Sequence, residues 1–142
     1  MPTYSKTITV KSDIKDTFDF VADFRNLDKW NPHDIVELVT KEPLREGSIF
    51  NVKTKFNEKD MELDYKIVEW GPPLRAALQA ENKFMVLTDT VFLSANNKGT
   101  ELTYSVNVKF KGIFVLLGPF LNSKFKSLMD NIYELEKILG PV

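Results

Sequence analysis

The chain has 142 residues, 43% of them hydrophobic, a formal net charge of −1 and no cysteine. That length predicts one domain with a real core, and 20 acidic residues against 19 basic ones leave no electrostatic footprint for nucleic acid. The lack of cysteine excludes disulfides, thiolate catalysis and cysteine-ligated metal. Lys6, Lys11, Asp13, Lys15 and Asp16 interrupt the start of the chain, so no signal-peptide apolar region is expected there. The longest apolar run, Ile113-Phe114-Val115-Leu116-Leu117, stops at Gly118-Pro119 and falls well short of a membrane span. The expected location is the cytoplasm.

Residues 4–10 alternate, with Ile8 and Val10 on one face and Thr7 and Thr9 on the other, which predicts a strand. Ser12 reads as the N-cap of a short helix, with Asp13 and Asp16 in its first turn and Ile14, Phe18 and Val21 on its inner face. Asp23-Phe24-Arg25-Asn26-Leu27 predicts a second short helix ending near Trp30, because Asn31-Pro32 pushes the backbone out of the α region. Strands follow over 35–40 and 48–56, the latter turning Phe50, Val52, Thr54 and Phe56 one way. In the next strand Met61, Leu63, Tyr65 and Ile67 face inward, while Glu62, Asp64 and Lys66 face out. Gly71-Pro72-Pro73 is a break. Residues 74–81 and 84–93 are two further strands around a tight turn at Asn82-Lys83. A hairpin loop over 95–99 leads to a strand over 100–110, with Leu102, Tyr104, Val106, Val108 and Phe110 on one face.

That loop sets a register. Phe92 falls opposite Leu102, Thr90 opposite Tyr104, Thr88 opposite Val106 and Val86 opposite Val108. Opposed residues share a face, so Val86, Thr88, Thr90 and Phe92 are expected inside, and Met85, Leu87 and Val91 outside. Beyond Lys111-Gly112, the residues Leu121, Phe125, Leu128, Ile132, Leu135 and Leu139 recur at alternating spacings of four and three, one stripe of a long C-terminal helix. A strand, two short helices, six strands and a helix make an α+β order with an antiparallel sheet. One amphipathic helix closing a sheet of that size suggests a grip around an internal space.

The candidate pocket is lined by Phe50, Val52, Thr54, Tyr65, Ile67, Leu78, Thr88, Thr90, Phe92, Tyr104 and Val106 from the sheet. Leu117, Leu121, Phe125 and Leu128 join them from the helix, with Trp30 as a packing residue or a stacking platform at the rim. The apolar members also fit ordinary close packing. Thr54, Thr88, Thr90, Tyr65 and Tyr104 are what points to a function, since a buried hydroxyl without a partner costs about 1–3 kcal/mol. Water, a ligand's polar group or the strand backbone would each meet that need. His33, the single histidine, reads as a loop residue or as a general acid/base oriented by Asp34 or Asp28. Asp60, Glu62 and Asp64 share a strand face at period two, which fits a solvated outer face better than a hard-cation site. The chain has no GxSxG, P-loop or GxGxxG motif. The apolar segment 113–120 reads as a buried helix start, as a movable lip over the cavity mouth, or as a surface that meets a membrane or partner.

Val21-Ala22-Asp23-Phe24, Leu27-Asp28-Lys29-Trp30-Asn31-Pro32-His33, Val68-Glu69-Trp70-Gly71-Pro72-Pro73, Gly99-Thr100-Glu101-Leu102-Thr103-Tyr104 and the Lys111-Gly112 lead-in to the last helix follow one another in a telling order. Together they resemble the START-like, or Bet v 1-like helix-grip (SRPBCC), superfamily, and within it the polyketide cyclase/dehydrase and lipid-transport branch. The likeness spans nearly the whole chain. It implies a single domain over 1–142: a curved antiparallel sheet of about seven strands wrapped around a long C-terminal helix, with a hydrophobic cavity between them. Members bind lipids, sterols, polyketides or other apolar ligands; some cyclise polyketides, and others are regulators or chaperone co-activators. The resemblance brings no catalytic motif and no cofactor to carry over. Three functions stand. The first is a carrier or sensor of a small apolar molecule. The second is a cyclase or dehydratase drawing on Tyr65, Tyr104, Asp89, Arg75 or His33, with Asp89 and Arg75 at strand positions expected to point outward. The third is a protein-interaction module using Met85, Leu87 and Val91 or the segment 114–120. The expected partner is a small apolar molecule, without nucleic acid, with at most transient membrane contact, on a monomer or weak homodimer.

Overall fold

The computed structural model describes residues 3–32, 34–56, 59–112, 126 and 129–142. Its elements are strand β1 (Thr3–Val10), helix α1 (Ile14–Val21), a 3-10 helix (Phe24–Lys29), strands β2 (Ile35–Leu38), β3 (Ile49–Phe56), β4 (Lys59–Gly71), β5 (Arg75–Glu81), β6 (Met85–Asn96) and β7 (Gly99–Phe110), and the C-terminal helix α2 (Ile132–Leu139). The seven strands form one antiparallel sheet in the order β1-β7-β6-β5-β4-β3-β2. Each strand from β2 onward pairs with its chain neighbour, and β1 joins by lying beside the last strand.

Helix α1 starts one residue later than Ser12 would set it. Asp13 is the cap, accepting from the Asp16 backbone N–H at 2.8 Å, while the Ser12 carbonyl accepts from Thr100 Oγ1 at 2.8 Å. A carboxylate at the cap also suits the positive end of the helix dipole. Phe18 and Val21 are buried, as their spacing requires, together with Thr17, whose hydroxyl donates to the Asp13 carbonyl at 2.7 Å.

The core lies on the inner face of the sheet. Ile8, Val10, Leu102, Val108, Leu78, Ile67 and Phe50 are closed over by Phe18, Phe24, Leu27 and Trp30 from the chain after β1, and by Met129, Ile132 and Leu135 at the other end. Helix α2 is fastened to the end of β1, where Lys11 N donates to the Gly140 carbonyl at 2.8 Å and Ser12 N to the Leu139 carbonyl at 3.2 Å. Ile132 and Leu135 bear out the C-terminal stripe; Leu139 packs partly buried, and Leu121, Phe125 and Leu128 lie outside the described residues.

The β6–β7 register differs from the expected one by a single residue. Ala95 pairs with Thr100 and Asn96 with Gly99, so the loop is only Asn97-Lys98. The Asn96 side chain closes it, its Oδ1 accepting from Lys98 N at 2.9 Å and Gly99 N at 3.0 Å. Gly99 has φ +143°, and a Cβ there would meet the Val10 carbonyl oxygen at 2.1 Å, so no larger residue fits. Leu93 therefore opposes Leu102, Val91 opposes Tyr104, Asp89 opposes Val106 and Leu87 opposes Val108. Because side chains alternate, this step reverses every assignment on β6. Met85, Leu87 and Val91 are buried on the inner face. Thr88, Thr90 and Phe92 point outward: Thr88 Oγ1 accepts from Gln79 Nε2 at 3.0 Å, Thr90 opposes Ser105, and Phe92 is 42% exposed beneath the Arg75 guanidinium.

Candidate functional site

Asp89 is the one charged residue of β6, and the observed register turns it inward between Leu78 of β5 and Val106 of β7. It is only 6% exposed. Tyr104, diagonal to it on β7, donates its hydroxyl to Asp89 Oδ2 at 2.5 Å. Asp89 Oδ1 is buried and has no hydrogen-bond partner among the described residues.

The chain between α1 and β2 packs against the tyrosines of this region. Asp23 caps the 3-10 helix, accepting from Arg25 N at 3.0 Å and holding the Arg25 guanidinium at 2.8 Å. The helix ends where Asn31 N donates to the Leu27 carbonyl at 2.8 Å, and Trp30 drops into the core. Its ring meets Tyr104 edge-on, with centroids 5.3 Å apart. Asn31 then bridges two elements: its Nδ2 donates to Asp34 Oδ2 at 2.7 Å, and its Oδ1 accepts from Asn131 Nδ2 at 2.7 Å. The residue just before α2 is thereby tied to the loop that carries the buried Asp34. Tyr65 of β4 completes the group, its ring edge against Phe24 at 5.2 Å.

Burial pushes Asp89 up to about 7, and the negative charge of Asp34 adds to that; the Tyr104 hydrogen bond pulls the other way. Burial also raises Tyr104 and Tyr65 well above the ordinary phenol range, with the Asp89 charge contributing to both. At neutral pH the phenols are therefore protonated donors beside a carboxyl poised between its two forms. Such a group can hold a polar ligand atom or exchange a proton with it.

The structure brings Trp30, Phe50, Val52, Tyr65, Ile67, Leu78, Tyr104 and Val106 to the inner face, all buried. Thr54 shares that face by alternation with Val52 and is half-buried. Thr88, Thr90 and Phe92 do not belong there, because the two-residue loop turns them outward. Leu117, Leu121, Phe125, Leu128 and His33 lie outside the described residues. Asp89 comes in from the position expected outside, whereas Arg75 stays outside, paired with Glu69 at 2.5 Å. Nothing in the sequence marks Asn31 and Asn131 as site residues; for Asp89 the available signal is a lone carboxylate within the apolar run of β6. Asp60, Glu62 and Asp64 are exposed, and the Asn51 amide spans the latter two at 2.8 and 2.9 Å. Among the described residues no group of His, Cys, Asp or Glu side chains is placed to hold a metal ion, and no helix is long and apolar enough to cross a membrane.

The family model described as polyketide cyclase / dehydrase and lipid transport matches residues 1–136. No curated protein matches the chain. Among solved structures, a START superfamily protein from Mycobacterium smegmatis superposes with a TM-score of 0.78 at 13% identity, over 96% of each chain. Ara h 8.0201 gives 0.73 at 17% identity over 97% of each chain. The di-domain ARO/CYC StfQ from the steffimycin biosynthetic pathway gives 0.74 at 13% identity, over 96% of this chain and 50% of that one. At these identities the superpositions establish the helix-grip fold, and that alone.

Proposed function

This chain belongs to the polyketide cyclase/dehydrase and lipid-transport family, and from that premise we propose that it binds a small apolar molecule, such as a lipid, sterol or polyketide-like compound, between the inner face of the sheet and the C-terminal helix. The observation that carries this reading is a polar group set into an apolar wall. Leu78, Val106, Ile67 and Val52 supply the wall; Asp89, Tyr104 and Tyr65 are the polar patch within it. An apolar face alone would be served by close packing. A buried carboxylate oxygen without a partner is costly, and the polar end of a guest would satisfy it. Trp30 and Tyr104 would orient the guest, with Phe50 and Thr54 further along the face.

Titration with naphthalene-1-methanol, which is itself fluorescent, tests the reading. Saturable binding is expected, weakened at least tenfold by Val106→Trp, which fills the space, and unchanged by Thr88→Trp on the outer face. No saturable binding, or equal effects of the two substitutions, sinks it.

One observation favours a second reading, that of a cyclase or dehydratase. An acid pushed to about 7 beside a phenol is a competent general acid/base pair. That reading requires turnover of a polyketide-like substrate that Asp89→Asn abolishes. Turnover indifferent to Asp89→Asn removes it. The interaction-module reading loses its sheet-face version, because Met85, Leu87 and Val91 are buried.

A further inference from the structure

Asp89 Oδ1 is the one buried side-chain polar atom without a hydrogen-bond partner among the described residues. An ionised carboxylate is an acceptor only, so what it lacks is a donor. Among the described residues no donor reaches it: the Tyr104 hydroxyl is spent on Oδ2, and the Tyr65 hydroxyl, though it faces the same carboxylate, makes no hydrogen bond to Oδ1. Its cross-strand neighbours on β5 and β7, Leu78 and Val106, are apolar. Asp34, from the loop after Trp30, acts on it as a second negative charge, and Tyr65 of β4 faces the same two carboxylates. Lys6, opposite Tyr104 on β1, turns its ammonium over the Tyr133 ring at 4.3 Å instead. No lysine or arginine pairs with Asp89 among the described residues.

Resting on the apolar-guest reading, we propose that the guest carries a hydrogen-bond donor, at its strongest a protonated amine, which Asp89 Oδ1 receives beside the rings of Trp30, Tyr65 and Tyr104. Three features favour a cation over a neutral or acidic head. A charged donor makes the stronger hydrogen bond to a carboxylate. Two carboxylates in one desolvated region attract a positive charge and repel a negative one. Aromatic rings attract cations through their π faces. An apolar acid meets repulsion from both Asp34 and Asp89, so fatty-acid-like guests are the poorest fit.

The pairing depends on pH with a definite sign. Burial pushes Asp89 up to about 7, so the full acceptor exists above that value, where an alkylamine is still protonated. Amine affinity therefore rises from pH 6 to pH 8, and binding near pH 7 releases a proton from Asp89.

The test uses three matched fluorescent probes on the full chain: naphthalene-1-methylamine, naphthalene-1-methanol and 1-naphthoic acid. At pH 8 the amine should bind about tenfold tighter than the alcohol, as a charged hydrogen bond against a neutral one implies, with the acid weakest. At pH 5.5 the amine's advantage should shrink to about threefold or less. Asp89→Asn should bring the amine-to-alcohol ratio close to one, while Thr88→Val keeps it. Should the variant fail to fold, the pH profile of the unsubstituted protein separates the same outcomes. Equal binding of amine and alcohol at both pH values overturns this inference and leaves the apolar-guest reading standing. Absence of saturable binding for all three overturns both.

Discussion

The two faces of the β1–β7–β6 ribbon carry the same kind of contact in opposite surroundings. Outside, Thr7 meets Thr103 at 2.9 Å and Ser5 meets Ser105 at 3.0 Å, hydroxyl to hydroxyl across paired strands, in full view of water. Inside, Tyr104 donates to Asp89 at 2.5 Å with water excluded. Breaking an outer pair returns two groups to solvent, which replaces the lost bond. Breaking the inner pair strands a carboxylate that nothing replaces. Polar residues on a sheet thus have meaning only with their face, and the face follows from register.

The largest expected effect comes from removing the ring that backs the inner pair. Trp30→Ala should cost about 3–5 kcal/mol in urea unfolding, the usual range for a buried large aromatic. Asp89→Asn should go the other way. A folded-state value raised to about 7 means the native protein holds a proton that the unfolded chain releases above its ordinary value near 3.8. Stability is therefore fullest at acid pH and declines as pH rises from about 4 to about 7. The substitution should abolish that decline and stabilise the protein by roughly 2–4 kcal/mol at pH 8, read from urea melts at pH 4.5 and pH 8. A stability profile identical to that of the parent would contradict the buried carboxylate. Tyr104→Phe leaves both Asp89 oxygens unpaired and should destabilise by about 1–3 kcal/mol at pH 8, with the Asp89 titration moving higher. Thr103→Val, the outer counterpart, should change stability by no more than about 0.5 kcal/mol; a loss as large as that of Tyr104→Phe would erase the contrast between faces.

Much of the architecture is readable from the chain because periodicity and punctuation agree. Phe18 and Val21 sit where a helical spacing places them, and Gly71-Pro72-Pro73 is a turn closed by Leu74 N donating to the Gly71 carbonyl at 2.9 Å. Leu102, Tyr104, Val106 and Val108 alternate against polar residues, so β7 declares its inner face. Strand β6 does not. Val86-Leu87-Thr88-Asp89-Thr90-Val91-Phe92-Leu93 has apolar or β-branched residues on both faces, so its orientation hangs on the length of the loop. A side chain, Asn96, makes that loop two residues long by capping it. The same one-residue step conceals Asp89. Asn31 and Asn131 are illegible for another reason: they are 100 positions apart, and only the fold brings them together.

The contrast between the faces also supplies the most direct test of the central claim, that the inner face receives an apolar guest. Methyl groups report each side separately: Leu78, Val106 and Leu63 inside, Thr88, Thr90 and Thr103 outside. In a methyl NMR titration with naphthalene-1-methanol, saturable shifts are expected at the inner methyls, with the outer threonines silent. Shifts confined to the outer threonines, or none at any concentration, would contradict the account.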